Sequence, residues 1–145
     1  MSKINIFDMH DIIRRMRLDK ENFKNIYTEG EELINVRDSL NNRIIELRRL
    51  LLEQPDNQSL NFELEFCLAE TERLEEKLEN FQKKYGSKDS QINMHKEVIE
   101  YDLRELYTYI GFLKQLDVDK ELVDSITNSV ESIEEEMKML DFLDK

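Results

Sequence analysis

Three side chains in this sequence could carry nucleophilic or metal chemistry: His10, His95 and Cys67. A di-iron carboxylate bundle needs Glu-x-x-His on two helices, because that spacing sets carboxylate and imidazole on one face. Three residues before the histidines stand Phe7 and Ile92, so neither motif is present. With two His and one Cys, a zinc site would need carboxylates in its remaining positions. His95 lies in Met94-His95-Lys96-Glu97, without the small-residue and Lys-Gly surroundings of a phosphotransfer histidine. It falls on an apolar stripe near a helix start, the place of a partly buried structural histidine. Cys67 sits between Leu64 and Leu68 with Glu63, Glu65 and Glu70 around it. A reactive thiolate needs a cationic or imidazole neighbour, so Cys67 reads as a small core hydrophobe. No catalytic, cofactor or metal site is expected, and the chain reads as a non-enzyme.

The side chains that suggest binding are carboxylates and aromatics. Glu131, Glu134, Glu135 and Glu136 cluster late in the chain, with Asp124 and Asp141 to either side. Residues three or four apart share a helix face, so this acidic face could imitate a nucleic-acid backbone to a basic partner. Phe62 and Phe66 fall off the main apolar stripe, on a second face of their helix. With Tyr109 and Phe112 they are candidates for a partner or oligomer interface. A small basic cluster, Arg14, Arg15 and Arg17 followed by Lys20 and Lys24, lies near the start. It belongs to an amphipathic segment from Ile4 to Leu18, which reads as docking on the parent bundle or on a second copy. Arg37, on the stripe of the first long helix, reads as an arginine laid along the core edge with its head in water.

The charge balance narrows the partners. The formal charge is −12, from 33 acids and 21 bases. Residues 1–55 hold 10 of each, so the whole excess lies in 56–145, and 117–145 alone carries 10 acids and 3 bases. Phosphate binding requires the opposite sign, so direct duplex binding is not expected. Three Gly and one Pro leave almost nothing for a turn-rich β fold or a Gly-rich phosphate loop. One Cys allows no intramolecular disulfide, and no long uncharged apolar run supplies a membrane span or a secretory leader. A cytoplasmic, intracellular location is the expectation.

The elements that must position these groups are helices. Pro55-Asp56-Asn57 and Tyr85-Gly86-Ser87 are strong stops. Asp19, Asp89 or Ser90, and the stretch from Asp117 to Asp119 are weaker N-cap signals. They divide the chain into an N-terminal amphipathic segment, 1–18, and four helices at about 19–54, 57–85, 89–116 and 119–143. The first follows a 3-4 register through Phe23, Ile26, Gly30, Leu33, Arg37, Leu40, Ile44, Leu47 and Leu51. The second follows Leu60, Leu64, Cys67, Thr71, Leu74, Leu78, Phe81 and Tyr85. Stripes near 3.5 residues bury one helix face against neighbours. Short turns make consecutive helices antiparallel, so the expected fold is an all-α up-down bundle built from two coiled-coil-like hairpins. In that topology the end of helix 1, the start of helix 2 and the end of helix 3 meet at one apolar end.

These features predict a non-enzymatic acidic interaction protein, an adaptor or inhibitor docking on a basic, nucleic-acid-handling protein. A phage antagonist or an immunity protein would work by this physics. The alternative is a self-assembling coiled-coil scaffold subunit, and a third reading is an export or assembly chaperone.

Overall fold

The computed structural model describes residues 6–116 and 118–144, so Ile4 and Asp117 lie outside the described residues. Four α-helices follow one another: α1 (Ile6–Glu53), α2 (Gln58–Tyr85), α3 (Lys88–Gln115) and α4 (Lys120–Lys138). A short 3-10 turn, Asp141–Asp144, ends the described chain. The protein is all-α and packs as a helical bundle, as the stripes require; no strand occurs among the described residues.

One correction concerns α1. A boundary was expected at Asp19, with a separate segment before it. Instead one helix of 48 residues runs through that point. The reason lies in the register. Met9, Ile12 and Met16 lead through Asp19 to Phe23 and Ile26 in the same 3-4 rhythm, so Asp19 occupies a stripe position and not a cap. An aspartate inside a helix costs only about 0.7 kcal/mol relative to alanine. Burial of Met9, Ile12 and Met16, each at most 4% exposed, outweighs that cost.

The described residues bury two clusters of apolar side chains. The chain divides into two compact units, one of residues 1–25 with 89–145 and one of residues 26–88. The first holds a core of Met9, Ile12 and Met16 from α1, Ile99, Leu103, Leu106 and Ile110 from α3, and Val130 and Met137 from α4. Arg15 reaches Asp102 and Phe23 stacks on His95, so α3 runs antiparallel to this stretch of α1. Tyr107 reaches Glu134, while Ile99 and Met137 line one groove, so α4 runs antiparallel to α3. The second unit is an antiparallel hairpin of the rest of α1 with α2. Its core is Ile44, Leu47 and Cys67, flanked by Leu40, Leu60 and Leu64. The N-terminal segment supplies the third helix of the first unit.

The helix ends follow local chemistry. Pro55 stops α1, and Asn57 Oδ1 accepts the Leu60 N–H at 3.2 Å to start α2. Gly86 closes α2 with φ 80° and ψ −174°, its N–H donating to Gln82 O at 2.8 Å. That backbone region is essentially open only to glycine. Asp119 caps α4 by accepting the Glu121 N–H at 3.1 Å. α4 ends at Lys138, about one turn earlier than the spacing predicts, because Met139 turns extended. The turn that follows seats Phe142 against Phe23, with ring centroids 5.5 Å apart.

Candidate functional site

The acidic residues of α4 do not act as one face. Glu134 Oε2 accepts the Tyr107 hydroxyl at 3.2 Å, and Glu134 Oε1 lies 3.4 Å from Lys138 Nζ. Burial and the Glu134 charge together hold the Tyr107 phenol above its ordinary pKa. Glu136 points the other way, to Arg17 of α1 at 3.3 Å, while its carbonyl accepts from Lys20 Nζ at 2.6 Å. Asp124, Glu131 and Glu135, spaced seven and four apart, lie on a third side and are exposed. Asp141 stands beyond the end of α4, in the 3-10 turn. Of the six carboxylates expected together, three therefore share an outward face, and two are drawn into contacts within their own unit.

The basic cluster explains that division. Arg15 donates to Asp102 at 2.5 Å and to Glu105 at 3.3 Å, and Arg17 pairs with Glu136. Arg14 lies 4.0 Å from Asp11. The segment docks on its own unit. A sequence signal for this was present: the apolar stripe of Met9, Ile12 and Met16 leaves Arg15 and Lys20 beside the seam, where a facing helix must answer them with acids.

The aromatic candidates separate in the same manner. Phe62 and Phe66 are 71% and 63% exposed on the side of α2 turned away from the hairpin core. Tyr109 is half-buried against the core of the first unit, and Phe112 is 40% exposed. Phe62 and Phe66 belong to one unit, Tyr109 and Phe112 to the other. Beside Phe62, Glu63 grips Arg43 with both oxygens, at 2.7 and 2.8 Å. Those hydrogen bonds hold the Glu63 carboxyl below its usual range.

The residues considered for chemistry take structural places. His95 is buried, its ring stacked on Phe23 at 4.4 Å with 5° between planes. Burial, and secondarily the charge of Lys20, push its pKa down. Cys67 is buried in the hairpin core, where its carbonyl accepts the Thr71 hydroxyl at 2.8 Å. Arg37 pairs with its chain neighbour Asp38, at 3.4 Å. His10 is exposed. No group of three or more His, Cys, Asp or Glu able to hold a metal occurs among the described residues. None of the described helices is long and apolar enough to cross a membrane.

The polar feature that sequence reasoning missed is Asp102, the most deeply buried charged side chain of the first unit, at 2% exposed. Its Oδ2 has no hydrogen-bond partner among the described residues. Asp19, on the α1 stripe, is held above its usual carboxylate pKa by burial and by the charge of Asp102. The position of Asp102, one residue before the core residue Leu103, marks it as flanking the seam, but only the facing helix decides how deeply it lies. A groove of about 210 Å³ opens between α3 and the end of α4, lined by Lys96, Ile99, Glu100, Met137, Lys138 and Leu140.

No protein-family model matches this chain, and comparison with curated proteins and with solved structures finds no significant match.

Proposed function

We propose that this chain is a non-enzymatic acidic interaction protein, an adaptor or inhibitor that docks on a basic partner protein. One observation supports the reading most: Arg15 and Arg17 of the basic cluster are spent inside the first unit, on Asp102, Glu105 and Glu136, while Asp124, Glu131 and Glu135 stay exposed on the outer side of α4. Lys138, the next cation along α4, is itself drawn to Glu134 at 3.4 Å. An outward acidic stripe on a chain of net charge −12 attracts cationic surfaces and speeds their encounter.

The test is capture from lysate of the native host on the immobilised chain, followed by association kinetics with the captured protein. The triple variant Asp124→Asn, Glu131→Gln, Glu135→Gln is compared with the unaltered chain over a range of salt. The reading expects basic proteins in the capture. It also expects association roughly tenfold slower for the variant at low salt, with a flatter salt dependence. Unchanged association at low salt would overturn it. A second reading, self-assembly, draws on a different observation, the exposed Phe62 and Phe66.

A further inference from the structure

Arg15, Asp19 and Phe23 follow one another at four-residue spacing on α1, so neighbouring members share a helix face. The outer two both touch α3: Arg15 donates to Asp102 at 2.5 Å, and Phe23 stacks on the ring of His95 at 4.4 Å. Asp19 is therefore set between them, half-buried in the seam against α3. α3 brings two unsatisfied polar atoms to the same seam. Asp102 Oδ2 and His95 Nε2 are both buried, and neither has a hydrogen-bond partner among the described residues. A buried acceptor without a donor is costly, and the α1 side chain lying between the two is a carboxyl group.

We propose that Asp19 and Asp102 form a proton-operated latch between α1 and α3. With a proton taken up from water, the Asp19 hydroxyl donates to Asp102 Oδ2 while Arg15 keeps Oδ1. Without it, two carboxylates face each other across the seam. The O–H bond of Asp19 is the one bond made or broken.

The charges around Asp19 favour this assignment. On its own helix Arg15 faces it, while Lys20 turns to α4 and the Glu136 carbonyl. From α3 come Asp102, Glu105 and His95. From α4 comes Glu136, already paired with Arg17, and the 3-10 turn adds Asp141, which is exposed. Arg15 thus answers Asp102, Glu105 and Asp19, one cation to three carboxylates. Burial, and then the charge of Asp102, holds the Asp19 carboxyl above its usual range, against the pull of Arg15. His95 is not the acceptor: burial and Lys20 push its pKa down, whereas an adjoining carboxylate would raise it. Proton uptake by Asp19 therefore tightens the seam. That contribution is complete below the ordinary carboxylate range and is lost as pH rises through the folded pKa of Asp19. The latch rests neither on the acidic face of α4 nor on a partner.

The experiment is carbon-13 NMR of the side-chain carboxyl groups in the full chain, titrated from about pH 3 to pH 8, beside thermal melts of Asp19→Asn. The Asp19 midpoint should lie above the ordinary aspartate value, and the Asp102 signal should move at that same midpoint, because one proton serves both. Asp102→Asn should bring the Asp19 midpoint down. Asp19→Asn keeps a donor and removes the titration. At pH 7.5 it should melt roughly 2–4 °C above the unaltered chain, and the gap should narrow as pH falls. His95 titrates in both chains and cancels from that gap. The amide protons introduced by Asp19→Asn should exchange slowly with water. An Asp19 midpoint at the ordinary value overturns the proposal. So does a midpoint that Asp102→Asn leaves unmoved, which would assign the shift to burial alone. A melting gap independent of pH, or introduced amide protons that exchange as freely as those of an exposed asparagine, would also overturn it.

Discussion

Arg15 Nη2 of α1 donates to Asp102 Oδ1 of α3 at 2.5 Å, joining a half-exposed cation to a carboxylate that is 2% exposed. A carboxylate so buried needs a cationic or hydrogen-bonding partner. Arg15→Ala removes the partner and leaves the charge behind. Folding stability should fall by about 3 kcal/mol, read by chemical denaturation. Replacing both residues, Arg15→Met with Asp102→Leu, should recover most of that loss, because the uncompensated charge disappears with the pair. A single variant as stable as the unaltered chain would show that water or another group already serves Asp102.

His95 gives the first unit a pH dependence whose sign follows from its burial. Its folded pKa lies below the ordinary value of 6.5, through desolvation and then the charge of Lys20. Below about 6.5 the unfolded chain therefore holds more protons on this residue than the folded chain. Stability supplied by neutral His95 is present above that pH and is lost as pH falls towards the folded pKa. Asp19 works in the other direction, because a raised carboxyl pKa makes the fold bind protons sooner. His95→Phe keeps a ring on Phe23 and removes the titration. The difference in melting temperature between this variant and the unaltered chain should shift in favour of the variant from pH 7.5 to 5.5. A constant difference would place His95 outside the linkage.

Gly86 holds φ 80° and ψ −174° at the end of α2 while its N–H closes the last turn on Gln82. A Cβ in this region is strained whatever the space around it. Gly86→Ala should destabilise by about 1–3 kcal/mol, and Gly111→Ala, inside α3 with nothing within 4 Å of its added Cβ, should stabilise by up to about 1 kcal/mol. Equal effects at the two glycines would contradict the assigned backbone.

Much of this fold is legible in the residues alone. The stripes of α1 and α2, the stops at Pro55 and Gly86 and the scarcity of glycine determine long helices and an all-α bundle, because a 3-4 apolar period buries one face only when the backbone is helical. The exposed second face at Phe62 and Phe66 is equally a property of spacing within one helix. The sequence also determines that acids outnumber bases after residue 55. It does not determine which helix answers which. Asp19 looks like a cap until the stripe before it is seen to bury Met9, Ile12 and Met16 against α3 and α4. Gly86 ends a helix, but a chain stop carries no direction, and only packing decides that α3 and α4 take the start of α1 as their third helix. Glu134, Glu135 and Glu136 are adjacent in sequence, yet one bonds Tyr107, one faces water and one meets Arg17. Successive residues on a helix turn by about 100°, so neighbours in a run of charge face different surroundings, and the tertiary contacts decide which of them remain for a partner.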